Sequence, residues 1–559
     1  MTKFSQIFHA PSKTVTSAAF LLAIAALLSR MLGLARDRIL AGTFGAGNEL
    51  DVYFAAFRVP DFVFQIVIAG AVSSAFIPMF MSLYAKNKEE AWRAANNFLN
   101  IAIFSLVVLG GIAVIFTPVF TPFVTPGFEG EKYRETVGLT RILFLSLVFL
   151  GLSAIFSGIL HSFKRFLAYA LAPVFYNLGI IFGALVLVKY LGIYGLAWGV
   201  VLGSFLHFVI QIPSAFASGF LWQKVFDFRD SHFQKIFFLM VPRAVGLGIY
   251  QMNLWVVTAI ASTLQAGSVA IFHLANNLEY LPIGIIGISF AVAVFPSLSE
   301  FVSYEKKKEF IGEISSAARV ILFFVVPLSV LIFVLRAHIV RIILGTGEFG
   351  WSDTRLTAAS LGLFCFGIFA QSLIPLFSRA FYALHNTKTP VILNSIGMAL
   401  NVVLSLLFVF WIFTIPEFRS FVSRFLHLEG IENLQLLGLP LAFSISGILN
   451  LAILFTVFQK RIGVSWDSGL LGSGVKIFVA SMVSGVLAYG ILFLVGPFVN
   501  TKTVLGLSLQ AGIATTAGAV AYVLLMLVFR APELNSFQRL FKGRLRLSAY
   551  PHEHEINGR

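Results

Sequence analysis

Residues 29–61 read SRMLGLARDRILAGTFGAGNELDVYFAAFRVPD, and they place Arg30, Arg36, Asp37, Arg38, Asp51, Arg58 and Asp61 among residues apolar enough to lie in a bilayer. A charge at membrane depth costs at least about 2.5 to 3.5 kcal/mol on insertion scales, so such a cluster needs a bundle interior, a water-filled cavity or a charged ligand beside it. The stretch therefore predicts a polytopic helical membrane protein with an ion-handling wall, and makes the cluster the leading functional candidate.

The rest of the chain agrees. It has 559 residues, of which 58% are hydrophobic and 12% charged, and its mean hydropathy is +0.90. Apolar runs of membrane-spanning length recur throughout, each able to satisfy its backbone in hydrocarbon only as a helix. The alternating pattern of an outer-membrane barrel is absent. The expected fold is all-α with about fourteen transmembrane helices, at 15–41, 51–83, 95–121, 137–161, 168–189, 193–219, 236–263, 268–299, 315–342, 355–383, 390–414, 436–459, 473–496 and 503–529. The basic, apolar amino-terminal segment reads as a first span rather than a removable signal, because arginines interrupt it and no small-residue cleavage site follows.

The formal net charge of +15 is a topology signal rather than a nucleic-acid signal. One alternate set of loops carries Lys86, Lys88, Arg93, Lys164, Arg165, Lys224, Arg229, Lys235, Lys306 to Lys308, Lys388, Lys460 and Arg461, and both termini belong to that set. The opposite loops offer mainly Lys132, Arg134, Lys189, Arg419, Arg424 and Lys502. The positive-inside rule puts both termini in the cytoplasm.

An internal repeat follows from four landmarks. Pro60 matches Pro282 at an offset of 222, Pro78 matches Pro296 at 218, Phe128 matches Phe349 at 221, and Ala172 to Asn177 matches Thr389 to Asn394 at 217. At Gly195-Leu196 against Gly438-Leu439 the offset becomes 243, which locates about 26 extra residues at Pro416 to Gln435. The pattern predicts two six-helix lobes, 1–232 and 233–462, related by a pseudo-two-fold axis along the membrane normal. Spans thirteen and fourteen, within 463–532, are an addition, and 533–559 is a basic cytoplasmic tail suited to anionic lipid.

Within the cluster, Arg30 and Asp37 stand seven residues apart on one helical face, as do Asp51 and Arg58. Four arginines against three aspartates leave a positive balance suited to a phosphate or carboxylate. The bland alternative is that Arg36 to Arg38 and Arg58 only sit near the interface, snorkelling or pairing with the aspartates to fix helix packing. The seventh and eighth spans add Arg243, Asn276, Asn277, Glu279 and His273, the last either a proton carrier or a packed residue. No Walker motif, acidic metal box or nucleophile with a base is visible, so neither an enzyme nor an ATPase is expected. Cys365 is the single cysteine and reads as packing. His552 to Glu555 reads as a terminal polar run rather than a metal site.

These residues carry a resemblance. Ser29-Arg30-Met31-Leu32-Gly33-Leu34-Ala35-Arg36-Asp37, Phe44 to Gly47, Asp51, Pro60, Ala75 to Pro78, Thr125 to Phe128, Phe295 to Ser299 and Phe377 to Ala383 resemble the MurJ (MviN) family of lipid II flippases. The resemblance implies the multidrug/oligosaccharidyl-lipid/polysaccharide exporter fold, alternating access, and the bacterial cytoplasmic membrane. It also implies a lipid-linked anionic glycan substrate moved to the outer leaflet for peptidoglycan synthesis, membrane lipids and cell-wall synthesis proteins as partners, no nucleic acid and no cofactor. Arg30, Arg36 and Asp37 match its cavity positions; Phe64-Gln65 and Asn277 stand where it has arginines, with Arg58 and Arg243 available to compensate. It implies coupling to sodium, protons or membrane potential, with Asn253, Asn401, Ser405 and Ser444 at its cation site. The rival readings are an exporter of another polyprenyl-linked glycan or amphiphile, and a non-transporting membrane scaffold.

Overall fold

A computed structural model describes residues 15–69, 76–431, 433–463 and 468–534. The expected surface segment of the basic tail and the run His552 to Glu555 lie outside the described residues. The apolar runs fold as helices in chain order: α1 (Val15–Phe44), α2 (Asn48–Ala56), α3 (Arg58–Phe64), α4 (Ile77–Tyr84), α5 (Lys88–Val124), α6 (Gly130–Ser162), α7 (Phe166–Phe182) and α8 (Tyr194–Val209). They continue with α9 (Ser231–Ser262), α10 (Ser268–Pro282), α11 (Ser289–Ser303), α12 (Lys307–Ile343), α13 (Trp351–Cys365) and α14 (Ile368–Ala383). The series ends with α15 (Lys388–Phe410), α16 (Pro416–Leu426), α17 (Gly438–Ile462), α18 (Ser468–Val495) and α19 (Val504–Val528).

Among the described residues, ten helices are individually long and apolar enough to cross a bilayer. The pair α13 and α14, bent by 46°, makes an eleventh crossing when taken as one. The other expected spans fall on α1, on the broken run from α2 to α4, and on α9. By length and composition the described residues thus supply ten or eleven candidate crossings, and the expected count of fourteen is not itself confirmed.

The repeat spacing recurs in backbone detail. Helices α5 and α12 are both 37 residues long and begin 219 positions apart. Short π-helical turns at Gln65–Ala69 and Ile283–Ile288 begin 218 apart. Lys164 and His385, 221 apart, both adopt positive φ just before a helix begins. A π turn widens the helix and breaks its regular ladder, which is tolerated in a membrane only where neighbours or water take the freed groups.

The chain divides into two compact units. The first comprises the described residues of 1–278, 336–364 and 391–447. Its core gathers Ile68, Phe76, Phe80, Phe98, Leu106, Phe156 and Leu160, with Trp92 stacked on Phe163. Helices α7 and α8 meet backbone to backbone through glycines: a Cβ at Gly179 would lie 2.2 Å from Gly203 Cα. Small residues permit this approach, which gains van der Waals contact where no hydrophobic driving force exists. Asn87 starts α5 by accepting from the N–H groups of Glu89 and Glu90 at 3.0 and 3.3 Å.

The inserted segment lies in this unit too. It folds as α16, with Pro416 at its first turn and His427 ending it at φ +57°. Arg355 on α13 holds it by donating to His427 O and, at 3.2 Å, to Glu429 O.

The second unit comprises the described residues of 279–335, 365–390 and 448 onward. Phe310, Phe377 and Phe381 pack around Phe458. Helices α18 and α19 are joined by Ser484 Oγ donating to Gly518 O at 2.7 Å, and Tyr522 Oη donates to Phe323 O on α12 at 2.8 Å.

Candidate functional site

The charged residues of 29–61 resolve into three local networks, all within the first unit. The first is built on α1. Asp37 is 4% exposed, and the neighbouring Arg36 curls back so that Nε and Nη2 both donate to Asp37 Oδ1, at 3.0 and 2.8 Å. The Arg36 Nη1 group donates to Asn177 Oδ1 on α7 at 3.1 Å. Asn277 Nδ2 on α10 donates to Asp37 Oδ2 at 3.2 Å. A guanidinium has five N–H groups; one on each Nη remains available. With its side chain 22% exposed, Arg36 is positioned by three helices and still able to bind an anion.

The second network centres on Arg58, 5% exposed at the start of α3. Its Nε donates to Thr258 Oγ1 at 2.9 Å, and Nη2 lies 3.5 Å from His273 Nδ1. Guanidinium only donates, so Nδ1 is the acceptor and His273 is the neutral Nε2–H tautomer in this contact. The imidazole packs on Phe54 at a centroid distance of 4.1 Å. Trp255 Nε1 donates to Arg58 O at 2.8 Å, so α9 holds both the backbone and the side chain of Arg58.

The third network gives Asp51 a structural task. Its Oδ2 accepts from Lys132 Nζ and Gly267 N, both at 2.8 Å, and Oδ1 accepts from Ala270 N at 2.9 Å. Asp51 therefore caps the N-terminus of α10 from another helix, where free N–H groups and the helix dipole favour a carboxylate. Lys132 Nζ also sits 4.0 Å over the Phe128 ring. With Asp51 1% exposed and three donors upon it, little is left for a ligand.

Two other arginines diverge. Arg38 Nη1 donates to Ile342 O at 2.5 Å and Ile343 O at 3.4 Å, closing the C-terminal end of α12. Arg30 is half-buried on α1, two turns before Asp37. The side chain of Arg243 on α9 lies outside the described residues. In the second unit Glu279 is buried with Oε1 lacking a hydrogen-bond partner.

The four residues at the expected cation site separate by role. Asn401 Nδ2 donates to Asn253 Oδ1 at 3.0 Å. The buried Asn401 Oδ1 and Ser405 Oγ, one turn apart on α15, have no hydrogen-bond partner. Ser444 Oγ instead donates to Leu363 O and Phe364 O at 2.8 and 3.3 Å. No carboxylate is present in this set, and no group of three His, Cys, Asp or Glu side chains that could hold a metal occurs among the described residues. The set thus offers a cation only neutral oxygens, of which Asn401 Oδ1 and Ser405 Oγ are buried without a hydrogen-bond partner; without a carboxylate it is a poor fit for a sodium ion.

The sequence reading did not link Asn177, Thr258 or Trp255 to the arginines they meet, and saw Lys132 only as a loop charge. Asn177 was visible as a repeat landmark, and Thr258 as a hydroxyl inside an apolar run, but nothing local in the sequence links either to an arginine.

Comparison with known proteins gives a consistent result. Residues 40–512 match the family described as Lipid II flippase MurJ. The lipid II flippase MurJ of Burkholderia cenocepacia is 27% identical over 466 residues, covering 82% of this chain and 86% of that protein. A solved lipid II flippase MurJ in an inward closed conformation is similar at TM-score 0.72 and 26% identity, over 91% of this chain and 98% of that one. An inward-facing multidrug resistance MATE family transporter of the MOP superfamily shares the fold at TM-score 0.63 and 14% identity, over 80% of this chain and 98% of that one.

Proposed function

The chain belongs to the lipid II flippase MurJ family, and from that premise we propose that Arg36, held by Asp37 and Asn177, receives the pyrophosphate of lipid II while the chain carries it to the outer leaflet. Arg30 adds positive charge on the same helix. Arg58 supports the wall through Thr258 and His273, and Arg243 supplements it from α9. Asp51 contributes by fixing the N-terminus of α10, and hence Asn277, rather than by touching substrate.

The observation that carries this reading is the Arg36 network. A guanidinium oriented by a carboxylate and an amide keeps one N–H on each Nη for phosphate oxygens. Pre-positioning it lowers the entropy cost of binding. Alternating access between lobes 1–232 and 233–462 supplies the movement, and 463–532 accommodates the lipid tail. The chain lies in the cytoplasmic membrane with both termini inside, as its loop charges require. An ion or potential gradient drives the cycle.

A second reading, export of another polyprenyl-linked glycan, is favoured by one observation. Asn277 replaces an arginine expected from the resemblance and directs its amide to Asp37, so the wall is less positive than that pattern implies. Complementation of a bacterium depleted of its own flippase separates the two. Rescue by the parent chain and loss of rescue with Arg36→Ala support lipid II; failure of the well-expressed parent supports the second reading.

A further inference from the structure

The first unit also holds a partly open cavity of mixed polar and apolar lining that the arginine wall does not use. The cavity, of about 300 Å³, is lined by Pro60, Asp61, Gln65, Ser146, Tyr176 and His207 together with apolar side chains. A cavity of that size has room for water. Asp61 is half-buried on α3, and its carboxylate makes no side-chain hydrogen bond or ion pair among the described residues. Its neighbour Arg58, one turn earlier, donates to Thr258 and His273.

Among the described residues, several titratable and polar groups lie near the carboxylate. Arg58 is on its own helix, Tyr53 on α2, Tyr176 on α7 and His207 on α8, while α6 contributes Ser146. Ser146 Oγ donates to Leu143 O at 2.6 Å. His207 is oriented from behind, its Nδ1 2.5 Å from Ser153 Oγ, which also accepts from Gln211 Nε2 at 2.5 Å. Ser157 Oγ donates to Gln211 Oε1 at 2.8 Å and completes the brace.

We propose that Asp61 is a proton-binding site of the transport cycle, taking up one proton from water in this cavity and releasing it in another conformation. The inference rests on the transport reading and names the coupling ion and residue. An ionised carboxylate in a membrane bundle with no directly bonded counter-ion is costly, and a proton neutralises it without any other ligand. Among the described residues the lining holds a single carboxylate, with the neutral groups of Gln65, Ser146, Tyr176 and His207 beside it, so a proton neutralises its charge more simply than a metal ion would. Asp61 also lies between Pro60 and the π-helical turn Gln65–Ala69. Both interrupt regular helical bonding, so this segment can bend when its charge changes.

The test uses the full chain in liposomes. Difference infrared spectroscopy across a pH titration, without lipid II, reads protonated carboxyl groups. A titrating carboxyl band present in the parent and in Asp61→Glu, and missing in Asp61→Asn, is expected. With lipid II added, an imposed pH gradient at clamped membrane potential should change flux through the parent and Asp61→Glu but not through Asp61→Asn. An unchanged infrared titration in Asp61→Asn overturns the proposal, as does a variant that keeps the pH response and loses a sodium response. If the parent moves no lipid II, the flippase reading fails separately, and the infrared band still decides the proton site.

Discussion

Asn277 Nδ2 donates to Asp37 Oδ2 at 3.2 Å, so the carboxylate that orients Arg36 on α1 is itself held from α10. Replacing Asn277 by aspartate sets two carboxylates against each other at that distance, and replacing it by alanine leaves Asp37 Oδ2 without this donor. Asn277→Asp is expected to abolish complementation, and Asn277→Ala to reduce it while destabilising by about 1–3 kcal/mol. Membrane expression and thermal unfolding in detergent distinguish these effects; parental activity in Asn277→Asp would show that the link does not matter.

Arg58 should be intolerant of a conservative change. Lysine keeps the charge but cannot offer the planar fork that reaches Thr258 Oγ1 and His273 Nδ1 together. Arg58→Lys is therefore expected to lower both Tm and transport, and Arg58→Ala to lower them further. Trp255→Phe removes the 2.8 Å bond to Arg58 O together with part of the ring packed on Phe62, and should cost at least about 1 kcal/mol, measurable as a drop in Tm.

Asp51 and Lys132 should behave as a pair. Their 2.8 Å bridge is buried at the aspartate and partly exposed at the lysine. Removing Lys132 alone leaves a buried carboxylate with less compensation, a loss of about 1–3 kcal/mol. In a double-mutant cycle of Lys132→Met and Asp51→Asn, the combined loss should be smaller than the sum of the single losses. Strict additivity would contradict the pairing.

Gly267 offers a backbone test. It sits at φ +89°, and a Cβ there would lie 2.0 Å from Ala46 O. Its N–H also serves Asp51. Gly267→Ala should destabilise by more than about 1 kcal/mol through strain and displacement of α10. A Tm within one degree of the parent would show that the turn relaxes freely.

Much of this architecture is legible in the sequence because hydrocarbon leaves the backbone few choices. Long apolar runs must be helices, and the Pro60 and Pro282 landmarks recur beside π turns with nearly the same spacing. The site was legible as a collection of charges rather than as a set of bonds. Asp51 and Asp37 look equivalent by charge and burial cost, yet one caps α10 and the other orients Arg36. That difference depends on Gly267 and Ala270 N–H groups more than 200 positions away. Arg38 likewise reads as an interfacial cation, and its bond to the end of α12 spans 304 positions. Periodicity predicts which face a residue shares, but not which distant backbone group meets it.

The central claim is that Arg36 receives the substrate's pyrophosphate. Its most direct measurement is lipid II binding to the purified chain by native mass spectrometry, comparing the parent, Arg36→Lys and Arg36→Ala at matched folding stability. The account predicts clear binding by the parent, weaker binding by Arg36→Lys, and at least about tenfold loss in Arg36→Ala, corresponding to one charge-assisted fork of about 1.4 kcal/mol or more. Parental affinity in a folded Arg36→Ala protein would contradict it.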